Sequence, residues 1–403
     1  MAASTPTDGG PPSAAVEHAA AALRDYLDQL GFVQLYKFIA TPSFYHADPN
    51  LLSLWQLRRV ADFDAYVAGD RSGYGIATCL MLAVAVPRGE LTPIEQRLAD
   101  QLVDAGLLTD AGECVAIGPY QLISAQDMPL LIDARINFPG QVAPRVYFGR
   151  DSLLLPYYLD AERIGRDDRA LDLGTGAGLG GLVLGRRSDH VIATDISPDA
   201  LRLAGVNRLL NHMTRNVAIR DERVEDTVER GERYAVVTFN PPFTPLPDGL
   251  RAPAFARGAG RDGLGYCRLV IERLDDLLVP DGTAYLTASL LGDPRGPFFA
   301  DELRRFADLR RLRIDVFIEA TSELAAGNAM FQALGAFLHR DNPTVSAAEC
   351  QSRVEQLQLR TLGATAAFLS VLVVRRARDL PPSLRVFHRR AGLPFPPAEV
   401  RPA

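Results

Sequence analysis

The sequence predicts an α/β chain: a seven-stranded, Rossmann-like sheet with crossover helices, behind a mainly helical, winged-helix-like N-terminal domain. Three observations predict it. A strand, a glycine-rich turn, a helix, a second strand and an acid follow one another across residues 168–195. Short apolar strands then alternate with helical segments, the pattern of parallel strands joined by crossovers. The first 140 residues carry mostly helical periodicity, with one brief hairpin signal.

The 403 residues have room for two domains. The expected organisation is a disordered tail at 1–15, an N-terminal domain at 16–140 and the α/β domain at 141–403, with an insertion at 321–364 as a candidate lid. With 47% hydrophobic and 23% charged residues, the composition is that of a soluble globular protein. No apolar run reaches the roughly 18 residues of a membrane helix. The opening MAASTPTDGGPPSAA has neither the basic nor the apolar stretch of a signal peptide. The net charge of −6 argues against a general affinity for nucleic acid, although a local basic groove is compatible with it. Cys79, Cys114, Cys267 and Cys350 are far apart and the histidines are scattered. That fits a cytoplasmic protein with no disulfide framework and no metal site.

In chain order, Val16, Ala19, Ala20, Leu23, Tyr26, Leu27 and Leu30 form one helical stripe that Gly31 closes. Leu51, Leu54, Leu57, Val60 and Phe63 predict one or two helices over 50–68. The run from Gly75 to Val86 predicts a buried helix broken at Pro87-Arg88-Gly89. Thr92 can cap a helix with Pro93 in its first turn, ended by Gly106. A strand from Leu107, a turn at Asp110-Ala111-Gly112 and a second arm from Val115 through Tyr120-Leu122 predict a hairpin. Helix and hairpin together suggest the second half of a winged helix. Packing, dimerisation or substrate shaping is its expected role, a homodimer through this domain included, ahead of DNA binding. Residues 124–145 read as a connection.

Ala170 to Leu173 is the first strand of the α/β domain. Gly174-Thr175-Gly176-Ala177-Gly178 is the turn, and Leu179 to Leu184 opens the helix. Val191 to Thr194 is the second strand, with Asp195 at its end and Ile196 beyond. The glycines let a ligand approach the backbone, and Asp195 is placed to accept from ribose hydroxyls. A helix over 198–211 leads to a third strand, Asn216 to Arg220, ending at Asp221-Glu222. One of these two acids can accept from an adenine amino group, and Val224 can pack on the ring. Tyr234 to Phe239 is the fourth strand and runs into Asn240-Pro241-Pro242-Phe243. A helix over 266–278, a turn at 280–282, a strand over 283–290, a helix over 301–310 and strands over 312–319 and 366–374 complete the sheet.

Residues 176–181 formally match the dinucleotide fingerprint GxGxxG. Asp172 argues the other way: a carboxylate there repels a pyrophosphate but tolerates a sulfonium or an ammonium. Asp172 to Gly178 resembles motif I of the class I S-adenosylmethionine (SAM) methyltransferases. The resemblance implies SAM as cofactor, held by Asp172, Gly174, Thr175, Gly176, Gly178, Asp195, Ile196 and Asp221 or Glu222.

The corner at Asn240 has its own chemistry. The Asn240 side-chain oxygen and the Pro241 carbonyl are two acceptors, and neither proline offers a competing N–H. Two converging acceptors suit an –NH2 group and leave its lone pair facing the methyl. Phe243 can stack on a planar acceptor. Asn240-Pro241-Pro242-Phe243 resembles the NPP[FY] SAM-dependent amino methyltransferases, which include release-factor glutamine, rRNA guanine N2 and DNA adenine enzymes. In such proteins a segment before the first strand folds over the cofactor. The resemblance places Tyr147, Asp151 and Ser152 there, with Asp151 or Ser152 near the SAM aminocarboxylate or capping a helix. Arg261-Asp262-Gly263-Leu264 resembles the downstream part of the pattern.

The main expectation is therefore methyl transfer to a nitrogen of a small molecule or peptide. The alternatives are a protein glutamine or nucleic-acid base, and a SAM-using cyclase that transfers no methyl.

Overall fold

The computed structural model describes residues 13–37, 67, 72–82, 84–133, 145–159, 164–252, 257–376 and 381–389. Apart from Val67, the helices expected over 50–68 lie outside the described residues. Among the described residues, no helix is long and apolar enough to cross a membrane.

Helix α1 (Ala14–Leu30) starts where the Ser13 side chain accepts from the Val16 N–H, and it stops at Gly31, in the left-handed region at φ 61°. Helix α2 (Gly75–Leu82) is buried on every side. It is shorter than its apolar run suggests, because Val86 and Pro87 form a strand, β1, paired with Val115 and Cys114. Helix α3 (Pro93–Asp104) begins at the expected cap, where Glu95 and Thr92 hold each other's backbone N–H. Strands β2 (Leu108–Asp110) and β3 (Cys114–Ile117) form the expected hairpin, and β1 joins it in the order β1-β3-β2.

That hairpin ends at Ile117. Tyr120 opens a second one, β4 (Tyr120–Ala125) against β5 (Met128–Asp133), where the sequence reads as a connection. Two features hide it. Both strands are buried on nearly every residue, which erases the alternation of a half-buried strand. The turn, Gln126-Asp127 at φ 52° and 60°, takes the positive φ of a tight hairpin without a glycine to announce it.

The main sheet runs through β6 (Arg169–Leu173), β7 (His190–Asp195), β8 (Val217–Asp221), β9 (Tyr234–Phe239), β10 (Leu278–Asp293), β12 (Leu312–Glu323) and β13 (Ala366–Arg376), in the order β12-β13-β10-β9-β6-β7-β8. A two-residue strand, β11 (Gly296–Pro297), turns back on β10. Strands β8 to β10 are parallel, and β13 runs antiparallel between β10 and β12. The seven expected strands gain an eighth: β14 (Ser383–His388) adds parallel to β12 at the edge. Its residues are half-buried or exposed, so the sequence shows no buried face. Arg385 anchors it with two hydrogen bonds to the buried Asp315.

Helices α4 (Arg150–Tyr158), α5 (Leu179–Gly185), α6 (Pro198–Leu210), α7 (Val224–Glu229), α8 (Gly265–Glu272), α9 (Leu274–Leu277) and α10 (Ala300–Arg310) connect or flank these strands. The insertion before β13 holds α11 (Ala329–Asp341) and α12 (Ala347–Glu355). Its small core of Phe331, Leu338, Cys350 and Val354 takes in Leu246 and Leu250. Asn342 accepts from the Arg251 N–H at 2.8 Å and donates to its carbonyl at 3.0 Å. The insertion thus grips the stretch 245–251, just past Phe243.

Candidate functional site

A cavity of about 620 Å³ opens at the carboxyl ends of β6, β7 and β9, where open α/β sheets take ligands. Its floor is the loop after β6. Gly174 and Gly176 sit at φ 57° and 55°, a region that L side chains avoid. A Cβ on Gly176 would meet nothing nearer than the Tyr147 carbonyl at 3.8 Å, an ordinary contact, so its positive φ is what calls for glycine there. Gly178 serves a different purpose: a Cβ there would stand 3.2 Å from Ala204, so this glycine lets α6 come close. It does not line the cavity.

Asp172 holds the loop in shape. It is 5% exposed and accepts from the Thr175 hydroxyl at 2.6 Å, the Gly181 N–H at 2.8 Å and the Thr238 hydroxyl at 2.7 Å. Burial raises its pKa, against the pull of those three donors. Asp195 closes the loop from the next strand. One oxygen accepts from the Gly176 N–H and the other from the Ser197 N–H, each at 2.9 Å. Each oxygen keeps acceptor capacity toward the cavity. Its pKa is raised too, by burial first.

Of the two acids at the end of β8, only Glu222 lines the cavity; Asp221 is exposed and stands outside it. One Glu222 oxygen pairs with Arg230, and the other is buried without a hydrogen-bond partner. Ile196, 61% exposed, lies at the rim, with Val224 also on the wall. A glycine cradle, an acid with free acceptor capacity, and an orphaned buried carboxylate oxygen fit the ribose and adenine of SAM.

Asn240, Pro241, Pro242 and Phe243 line the same cavity. The Asn240 amide is oriented from both ends. Its NH2 donates to Asp151 at 2.7 Å and to the Ser152 hydroxyl at 3.2 Å. Its oxygen accepts from the Thr287 hydroxyl, which leaves one lone pair. Thr287 reaches it because Leu286 pairs with Phe239, so the next residue on each strand is a neighbour. No motif announces Thr287; only strand register identifies it.

Asp151 is 4% exposed and also accepts from the Tyr147 hydroxyl at 2.7 Å. Burial raises its pKa, opposed by the hydrogen bonds from Tyr147 and Asn240. Gly149 is the N-cap of α4, and the Ser152 hydroxyl accepts from its N–H at 3.2 Å. Asp151 and Ser152 are thus first-turn residues of that helix and partners of Asn240 at once. Behind the corner, Gly263 lies against the Phe243 carbonyl, where a Cβ would come within 2.2 Å. That contact is what the Arg261-Asp262-Gly263-Leu264 turn requires. Tyr266 and Arg257, which the sequence reading does not single out, also line the cavity, Tyr266 with its ring edge-on to Phe239. Among the described residues, no cluster of His, Cys, Asp or Glu could hold a metal ion.

Residues 149–248 match the family described as Methyltransferase small domain. Release factor glutamine methyltransferase of Clostridium acetobutylicum is 29% identical over 141 residues, 32% of this chain and 50% of that one. The enzyme of the same name from Deinococcus radiodurans is 34% identical over 165 residues, 38% of this chain and 55% of that one. The tRNA1(Val) (adenine(37)-N6)-methyltransferase of Bacteroides fragilis is 31% identical over 140 residues, 34% of this chain and 56% of that one. The chain thus spans about half the length of the curated relatives it matches. Trm5 of Methanocaldococcus jannaschii in complex with adenosine aligns with a TM-score of 0.37 at 12% identity, over 66% of this chain and 60% of that one, too loosely to bear on function.

Proposed function

We propose that this chain, which carries a class I SAM-dependent methyltransferase domain, methylates the nitrogen of a planar –NH2 group on a macromolecule, a protein glutamine foremost. The observation that carries the reading is the Asn240 amide. Asp151 and Ser152 fix its NH2 end, so its oxygen faces Thr287 and retains a lone pair for an acceptor N–H. Pro241 offers a second carbonyl with no N–H beside it. Carboxamides and base amines both present two in-plane N–H bonds, and the relatives named for their substrates act on a glutamine or an adenine. Those names favour a macromolecular acceptor over the small molecule that the sequence reading puts first. The charge of −6 favours protein over nucleic acid.

When bound, SAM supplies an electrophilic methyl on a sulfonium. The chain's residues do the rest. Asp195 takes the ribose hydroxyls, and Glu222 the adenine amino group. Asn240 and Pro241 each accept one N–H of the acceptor and leave the lone pair facing the methyl. Phe243 lies along the planar group. Transfer of that methyl would leave a surplus proton on the nitrogen, which would go to solvent while Asn240 and Pro241 hold the group in place.

A base amine is the second reading. Arg257 on the cavity wall donates to the Ala252 carbonyl and has no carboxylate partner among the described residues, so it is available to a phosphate. The region of order β1-β3-β2 we read as winged-helix-like, serving packing and substrate enclosure.

Asn240→Ala tests the corner. Misplacing a nucleophile by about 1 Å costs on the order of 10²-fold in rate. The variant should lose at least ~10²-fold in kcat, about 2.7 kcal/mol, while SAM affinity by calorimetry stays nearly constant. A parental kcat would reduce Asn240-Pro241-Pro242-Phe243 to a turn.

A further inference from the structure

The N-terminal region and the cofactor loop meet at one side chain. Asn207, on α6, is fully buried. Its oxygen accepts from the Leu131 N–H, and its NH2 donates to the Leu131 carbonyl and to the Ala177 carbonyl, all three at 2.8 Å. Leu131 belongs to β5, and Ala177 belongs to the glycine loop and lines the cavity. One turn later, Asn211 donates to the Pro129 carbonyl at 2.8 Å. The spacings match: four helical residues rise about 6.0 Å and two strand residues about 6.6 Å. Asn207 and Asn211, the C-cap residue of the same helix, therefore read alternate residues along the free edge of β5, and only Asn207 also reaches the loop.

The same strand supports the other wall. Asp133, at the end of β5 and fully buried, accepts from the Arg145 N–H at 2.8 Å and the Val146 N–H at 3.3 Å. Both residues line the cavity. The apolar packing is continuous as well: Ile123, Leu130 and Ile132 of the hairpin share one core with Val146, Phe148, Ala177 and Leu179.

We infer that the 120–133 hairpin is a working part of the cofactor site, with Asn207 as the positioning residue that ties the Ala177 carbonyl, and so the glycine loop, to the N-terminal region. This rests on the SAM reading above. A loop braced through an amide whose oxygen and NH2 are both engaged is organised before the ligand arrives, and the ordering cost of binding is lowered. By linkage, a ligand that favours the braced loop also favours the docked hairpin.

The test compares Asn207→Leu with Asn211→Leu, each measured for SAM affinity by calorimetry and for thermal midpoint. Both substitutions loosen β5, so both should lower the midpoint. Only Asn207→Leu frees the loop, and losing a buried hydrogen bond to it should weaken SAM binding by roughly ten-fold or more. Asn211→Leu should stay within about two-fold of the parent, below half a decade. Hydrogen exchange on the unmodified protein gives a second readout should Asn207→Leu not fold: saturating SAM should slow exchange of the Leu131 amide. Equal SAM affinity in the two variants, or Leu131 exchange indifferent to SAM, would overturn the inference while leaving the cofactor reading intact. Failure of the unmodified protein to bind SAM would instead remove that reading, and this inference with it.

Discussion

At the scale of single residues, the site depends on side chains whose hydrogen-bonding capacity is nearly used up. Asn240 spends both N–H bonds and one lone pair on Asp151, Ser152 and Thr287. Thr287→Val keeps the shape and removes the hydroxyl. The amide oxygen then loses its tether, and kcat should fall about ten-fold, near 1.4 kcal/mol, with SAM affinity unchanged; single-turnover rates check this. Asp195→Ala removes charge-assisted acceptors each worth about 1.5–3 kcal/mol, so calorimetry should show SAM binding weakened by roughly ten-fold or more. The sign of the pH effect follows from burial. The folded pKa of Asp195 lies above its ordinary 3.8. Its protonated form therefore favours the folded state, a contribution complete below 3.8 and lost as pH rises through the raised value. In the proposed ribose contact the charged form is the better acceptor, so SAM affinity should climb over that same rise, and Asp195→Ala should flatten the climb. That Asn240, Asp195, Gly174 and Gly176 come together at one cavity was legible in the sequence, because their chemistry fixes their identity and spacing. Thr287 was not, since any strand residue in that register would look alike until β9 and β10 are paired.

At the scale of elements, strands and helices that carry the site agree with the sequence, and the departures have physical causes. The hairpin of β4 and β5 escapes notice because burial on both faces and a turn without glycine remove both its signals. Asp221 and Glu222 read alike in sequence; the strand's end turns only Glu222 toward the cavity. Gly178 belongs to the motif yet serves the contact with α6. The insertion is a second case of an asparagine reading a backbone, as Asn342 holds both polar groups of Arg251. None of its described residues lines the cavity; it braces 245–251 from behind. Asn342→Leu should lower stability by about 1–3 kcal/mol through the unpaired backbone groups. It should raise KM for the acceptor more than it lowers kcat, and leave SAM affinity alone. Steady-state kinetics with each substrate varied separates these effects.

At the scale of the whole molecule, the N-terminal region and the α/β domain share one core: Leu23 and Leu27 of α1 and Leu98 and Leu102 of α3 join Leu203, Val206 and Leu210 of α6. A fragment starting near Arg145 would expose that surface and should be poorly soluble. The acidic chain should bind duplex DNA only in the non-specific range, about 10⁻⁴ M or weaker at physiological salt; sub-micromolar, sequence-dependent shifts on a gel would reassign the N-terminal region. Methyl transfer to nitrogen is the reaction proposed for this chain. The measurement that reaches it most directly is tandem mass spectrometry of products formed from methyl-labelled SAM, offered in parallel with release factors, tRNA and a small-molecule extract. Label is expected on the nitrogen of a glutamine carboxamide, or of a base amine under the second reading, with one S-adenosylhomocysteine for each methyl transferred. Label on carbon or oxygen, or methylthioadenosine as the cofactor product, would contradict methyl transfer to nitrogen.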